Sequence, residues 1–140
     1  MSALYTTEAL ATGAGRDGHV DVTESELAFD MAIPKSMGGS GNGVNPEQLF
    51  AAGYSACFHS ALQLVARQRK VAIEGSSVGA RVGINPTPEG GFSLAVDLEV
   101  VLPGVEPALA RELADTAHQV CPYSNATRGN IPVTVSVSDD

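Results

Sequence analysis

Asn45-Pro46-Glu47-Gln48-Leu49-Phe50-Ala51-Ala52-Gly53-Tyr54-Ser55-Ala56-Cys57-Phe58 is the stretch on which the fold turns. Asn45 has the side chain of an N-cap, Pro46 sits at the first helical position where a missing N–H is of no consequence, and Gln48 completes a capping box. The spacing predicts a helix from Pro46 to about Lys70, with Phe50, Gly53, Cys57, Ala61 and Leu64 on one face. Cys57 is therefore expected in the middle of a buried stripe. The 18 residues from Leu49 to Ala66 carry no formal charge, which is the lower limit for a membrane span. Ser55, His59, Ser60 and Gln63 interrupt the run, and sheet surrounds it, so the core helix of a globular domain is the expected reading and no membrane partner is implied.

Upstream, alternation marks strands at about Leu4 to Ala11, His19 to Val22 and Leu27 to Ile33. The glycine-rich turn from Gly13 to Gly18 places Arg16 on an exposed loop. The glycines between Met37 and Asn45 read as a loop; they lack the Gly-Lys-Ser/Thr ending of a phosphate cradle. Downstream, Val78 to Ile84 and Phe92 to Leu102 alternate around a Pro/Gly hairpin loop. Pro107 opens a second helix with Leu109, Leu113, Ala117 and Val120 inward. That helix is expected to stop near Cys121, because Pro122 follows. Ile131 to Val137 makes a last strand. Hairpins with helices inserted as blocks predict an α+β fold, antiparallel sheets packed around a central helix that bears the first cysteine.

The 140 residues fit one domain, 1–140, and 44% hydrophobic against 17% charged residues excludes disorder. Sixteen Asp and Glu against eight Lys and Arg leave a net charge of −8, which argues against nucleic acid as a partner. Met1-Ser2-Ala3-Leu4-Tyr5-Thr6 has neither a basic n-region nor a long apolar h-region, so the cytoplasm is the expected compartment. In a reducing cytosol two cysteines are inert, metal-bound or redox-active more often than they form a structural disulfide.

For Cys57 to be reactive its anion must be stabilised, since an ordinary thiol with a pKa of about 8.5 is only about 3% thiolate at neutral pH and burial lowers that further. Cys57 lies about three turns into its helix, beyond the reach of that helix's dipole. A cation is expected instead. Arg67, Arg69 and Lys70 share the helix but lie about 15 Å or more along it. Spacing does not choose among Arg16, Lys35, Arg81, Arg111 and Arg128. Zinc is the sharpest alternative use, with Cys57, His59, His118 and Cys121 as ligand types, but Cys57 and His59 point about 200° apart on a helix and only His118 and Cys121 suit one ion. Two inert buried thiols are the plainest alternative.

Taken together, Arg16-Asp17-Gly18, Pro34-Lys35-Ser36-Met37-Gly38-Gly39, the Asn45 to Phe58 stretch, and Cys121-Pro122-Tyr123-Ser124-Asn125-Ala126-Thr127-Arg128-Gly129-Asn130 resemble the organic hydroperoxide resistance protein family, a branch of the osmotically inducible protein C superfamily. The resemblance spans nearly the whole chain. It implies a thiol peroxidase that reduces organic hydroperoxides, fatty-acid hydroperoxides included, to alcohols, with no bound cofactor or metal. A lipoyl dithiol, dihydrolipoamide or a lipoylated protein, is the implied reductant. It implies Cys57 as the peroxidatic cysteine, Cys121 as the resolving cysteine, Arg16 as the active-site arginine and Glu47 as the carboxylate that orients it, with no departure at these positions. It also implies an intertwined homodimer. Glu47 lies about 15 Å from Cys57 along one helix, so Arg16 and Glu47 are expected to complete the partner subunit's site. Phe50, Tyr54, Phe58 and Met37 are candidates for an apolar mouth, and Tyr123 and Asn125 near Cys121 are further candidates with no role assigned. Against the enzyme stand a thiol or lipid-binding module of the same fold and the zinc domain.

Overall fold

The structure, a computed structural model, describes residues 2–140. The chain gathers into two compact units, Met1–Leu49 and Phe50–Asp140.

In the first unit β1 (Ala9–Thr12), β2 (His19–Val22) and β3 (Ala28–Asp30) form an antiparallel sheet in that order. β3 is shorter than alternation predicted, because Met31 leaves the ladder to bridge Val44, and β1 begins only at Ala9. A single 3₁₀ turn over Gly15–Asp17 joins β1 to β2 and presents Arg16. It closes tightly: a Cβ on Gly18 would stand 2.2 Å from the Thr12 carbonyl oxygen. The second glycine cluster serves backbone packing as well, since a Cβ on Gly39 would meet the Ile33 carbonyl oxygen at 2.1 Å. Paired bonds from Ala32 N–H to Val44 O (2.9 Å) and Val44 N–H to Asp30 O (3.1 Å) close that loop. No residue of β1, β2 or β3 is buried.

α1 (Pro46–Gln68) has its first turn in the first unit and the rest in the second. The capping box forms as expected, with Gln48 N–H on Asn45 Oδ1 at 2.8 Å and Asn45 N–H on Gln48 Oε1 at 3.0 Å. The buried stripe differs from the expected one. Tyr54, Phe58, Ala61, Leu62, Val65 and Ala66 point inward, and Leu64 is 38% exposed. The helix turns its bulky residues to the core because each fully buried large side chain stabilises by roughly 1.5–3 kcal/mol, whereas Gly53 contributes nothing. Cys57, about 100° round from Phe58, is left at the edge of the stripe, half-buried. By length and hydropathy α1 would suffice to cross a membrane, with mean hydropathy 1.3 over its best window. Its large side chains instead form one core with a sheet.

That sheet has the order β4 (Ser77–Pro86), β5 (Phe92–Val101), β6 (Val133–Ser138). β4 and β5 form the expected hairpin, whereas β6 runs parallel to β5, which corrects the expectation of antiparallel pairing throughout. The chain returns to the sheet through α2 (Pro107–Val120) and α3 (Pro122–Thr127), and a helical crossover brings a strand back in the same direction. Val96, Leu98 and Val100 of β5 meet Ala110, Leu113, Ala114 and Ala117 of α2 and the inner face of α1 in the core. Val120, expected inward, is 41% exposed. α3 was not expected. Pro122 both ends α2 and occupies the first position of a new helix, the place where proline suits a helix best.

Candidate functional site

Cys57 Sγ and Cys121 Sγ lie 3.5 Å apart within the second unit, brought together across 64 residues of sequence. Both are free thiols. A disulfide needs about 2.05 Å, so closure requires an approach of only about 1.5 Å. Cys121 is wholly buried. It caps two helices at once: its N–H ends α2 on the Ala117 carbonyl at 2.9 Å, and its carbonyl accepts the Asn125 N–H of α3 at 3.0 Å.

Burial pushes the Cys57 thiol above its ordinary value, the backbone N–H of Tyr123 pulls it down, and the Cys121 thiol pushes it up again. The expectation that only a cation would serve Cys57 is therefore incomplete. The Tyr123 N–H at the start of α3 favours the Cys57 anion, a contribution that reading Pro122 as a helix start would announce. Beside Cys57 is a hollow of about 400 Å³, lined also by Ser60, Ala61, Leu64, Arg67, Val120 and Pro122. Arg67, about 15 Å farther along the helix, shares that hollow. Tyr54 and Phe58 belong to the core and not to its lining. Phe50, Tyr54 and Tyr123 form an aromatic cluster with ring centroids 5.7 to 6.0 Å apart.

The first unit holds the other two expected residues, also as a pair. Arg16 Nη1 donates to Glu47 Oε1 at 2.8 Å and Nη2 to Oε2 at 3.2 Å, a two-pronged fork from the 3₁₀ turn to the first turn of α1. The hydrogen bonds to Glu47 raise the Arg16 pKa, so the guanidinium is firmly charged. With both Glu47 oxygens engaged, the plane of the guanidinium is fixed and its remaining N–H groups are available to an anionic or polar ligand.

Residues 39–136 match the family of OsmC-like proteins. The chain belongs to that family. An organic hydroperoxide resistance protein of Xanthomonas axonopodis pv. citri is 49% identical over 137 residues, covering 96% of this chain and 95% of the relative. Organic hydroperoxide resistance protein OhrB of Bacillus subtilis is 41% identical over 131 residues, covering 94% and 96%. The crystal structure of an organic hydroperoxide resistance protein from Elizabethkingia anophelis superposes with a TM-score of 0.95 at 51% identity, over 100% of both chains. The resemblance read from the cysteine blocks and the α+β class are borne out together.

In this OsmC-like chain the alternative zinc site finds no ligand set. No group of three or more His, Cys, Asp and Glu side chains able to hold a metal occurs among the described residues. His118 Nδ1 is engaged with Ser124 Oγ at 2.7 Å and His59 Nε2 with Ser76 Oγ at 2.9 Å. Tyr54, a candidate for the apolar mouth, is instead fully buried, its hydroxyl 2.9 Å from Ser124 Oγ, a contact that no sequence spacing announces.

Proposed function

We propose that the chain is a cysteine-based thiol peroxidase that reduces organic hydroperoxides to alcohols in defence against organic peroxide stress. The observation that carries this is the reduced dithiol, two free thiols with their sulfurs 3.5 Å apart. The Cys57 thiolate attacks the terminal peroxide oxygen, the O–O bond breaks, and the alkoxide leaves and takes a proton as the alcohol. Cys57 sulfenic acid remains. Cys121 sulfur then displaces its hydroxyl, which departs with the thiol proton as water, and a Cys57–Cys121 disulfide forms. A lipoyl dithiol, free or carried on a protein, reopens it through a mixed disulfide and leaves as the cyclic disulfide.

Arg16, oriented by Glu47, supplies the cation: at about 4–6 Å it would lower a thiol pKa by one to three units and hold the hydroperoxide's polar end. Helical spacing between Glu47 and Cys57 favours giving this fork to the dithiol of a second copy. A homodimer also has a surface to form on. Leu4, Tyr5, Leu10 and Leu27 of the first unit are 107%, 80%, 65% and 52% exposed, and a three-stranded sheet this short needs an apolar face covered. Two thiols of this kind suit the cytoplasm.

The test is peroxide consumption by the purified chain with cumene hydroperoxide and dihydrolipoamide. Turnover in the unaltered chain and its loss in Cys57→Ser support the peroxidase. No turnover with both thiols reduced overturns it and leaves a thiol or lipid-binding module.

A further inference from the structure

Four polar side chains sit beside Cys121 in an otherwise apolar core. Tyr54 and Ser124 are fully buried and Thr127 is 5% exposed. Tyr54 Oη lies 2.9 Å from Ser124 Oγ and 3.1 Å from Thr127 Oγ1, and His118 Nδ1 lies 2.7 Å from Ser124 Oγ.

Counting protons gives these contacts a direction. The Thr127 hydroxyl donates to the Ser124 carbonyl at 3.2 Å, so its oxygen accepts from Tyr54. Tyr54 has one proton and has given it to Thr127, so Ser124 donates to Tyr54. Ser124 in turn accepts from His118, which must carry a proton on Nδ1. The chain runs from His118 to Ser124 to Tyr54 to Thr127 to the Ser124 carbonyl, with every hydroxyl donating once and accepting once. Burial first, and Arg128 next, hold the His118 pKa below its ordinary value, in keeping with a neutral ring.

Phenylalanine and alanine would fill much of this space without burying a polar atom, so packing does not require the chain. What the bonds add is placement. Tyr54 on α1 stands three residues before Cys57, His118 on α2 three before Cys121, and Ser124 on α3 three after it. Each element that carries or flanks a thiol is tied to the others one helical turn away. We propose that the His118–Ser124–Tyr54–Thr127 chain positions Cys121 for disulfide closure, holding α3 against α1 so that the two sulfurs stay within reach. This rests on the peroxidase reading. These are positioning residues: none touches substrate.

When closure is slow, a second hydroperoxide reaches Cys57 sulfenic acid first, transfers an oxygen to give sulfinic acid, and leaves as a second alcohol. The chain's effect is therefore read as a partition between disulfide and sulfinic acid. Reduced full-length protein, Tyr54→Phe, Ser124→Ala and the double variant would be mixed with cumene hydroperoxide, quenched by alkylation and weighed intact, with circular dichroism confirming the fold. Each single variant should slow closure about tenfold and raise the sulfinic fraction at fixed peroxide. The double variant should be less impaired than the two effects combined, since both singles remove the same bond. A fold contribution alone would not move that partition in folded protein. Should Tyr54→Phe unfold, Ser124→Ala gives the same reading with the loss of one oxygen. Closure at the unaltered rate in the folded variants overturns the positioning role and leaves the peroxidase standing. Failure of the unaltered protein to form the disulfide overturns both.

Discussion

Tyr123 passes so close to Gly53 that a Cβ built on the glycine would stand 2.8 Å from the tyrosine hydroxyl oxygen and 3.2 Å from its ring. The glycine is what lets the ring lie on α1 between Phe50 and Tyr54, and the backbone N–H of the same tyrosine pulls the Cys57 pKa down.

Gly53→Ala should therefore act at a distance from its own side chain. Alanine favours a helix interior over glycine by roughly 1 kcal/mol, but the ring has to move to admit it. Displacing Tyr123 weakens the N–H bond that pulls the Cys57 thiol down, so its pKa should rise and peroxide consumption near neutral pH should fall. Titration of thiolate ultraviolet absorbance, compared in Cys121→Ser backgrounds so that only Cys57 reports, checks this. An unshifted titration would show that the ring moves without the backbone.

Arg16 and Glu47 should matter to activity far more than to stability. The Arg16 and Glu47 side chains are 35% and 15% exposed, and a pair so open to water stabilises by about 1 kcal/mol or less. Arg16→Ala should slow peroxide consumption by about tenfold or more, because in the proposed cycle the thiolate would lose its cation. Arg16→Lys should rescue little, since an ammonium cannot form the fork. Glu47→Gln should fall between. Initial rates and melting temperatures, measured on the same preparations, separate the two effects.

Two histidines should bend the pH dependence of stability in opposite senses. His118 is held low by burial, then by Arg128, so the unfolded chain takes up a proton that the folded chain resists. Stability should fall as pH drops through the ordinary value of 6.5 toward the lower folded value. His19 is held high by Asp30, then Asp21, so its contribution is present below 6.5 and is lost as pH rises through the raised folded value. Melting temperatures from about pH 5 to 8 should lose their acid-side fall in His118→Asn, whose amide still donates to Ser124, and their alkaline-side fall in His19→Gln.

The exposed sheet of the first unit offers a test of assembly. Leu10→Asp with Leu27→Asp should turn a homodimer into monomer in sedimentation experiments, and should abolish peroxide turnover if the Arg16 fork serves a second copy. Monomer that keeps full turnover would place the whole active site in one chain.

Much of this molecule is legible in its sequence. The capping box at Asn45 and Gln48 is local chemistry, and so are the hairpin of β4 and β5 and the turn that carries Arg16. What eluded reading depends on which of two plausible faces wins. Gly53, Cys57 and Leu64 share a helical face as good in pattern as that of Tyr54, Phe58, Leu62 and Val65, and only the volume those larger side chains fill decides between them. The start of α3 is ambiguous in sequence because a proline after a helix serves equally as a stop and as the first residue of the next helix. The parallel course of β6 follows from the crossover, which strand periodicity does not report. The pairing of Cys57 with Cys121 came from resemblance, since contacts across 64 residues leave no periodic trace.

The two sulfurs of the dithiol are not equivalent to a visitor. Cys121 is sealed in the core, while Cys57 opens on the hollow between α1 and the end of α2. Once they are joined, a reductant entering by that hollow meets a bond with a front and a back. In the proposed cycle it would attach to Cys57 and release Cys121, which would give the return stroke a built-in order, with the mixed disulfide hanging from the residue that first meets the peroxide.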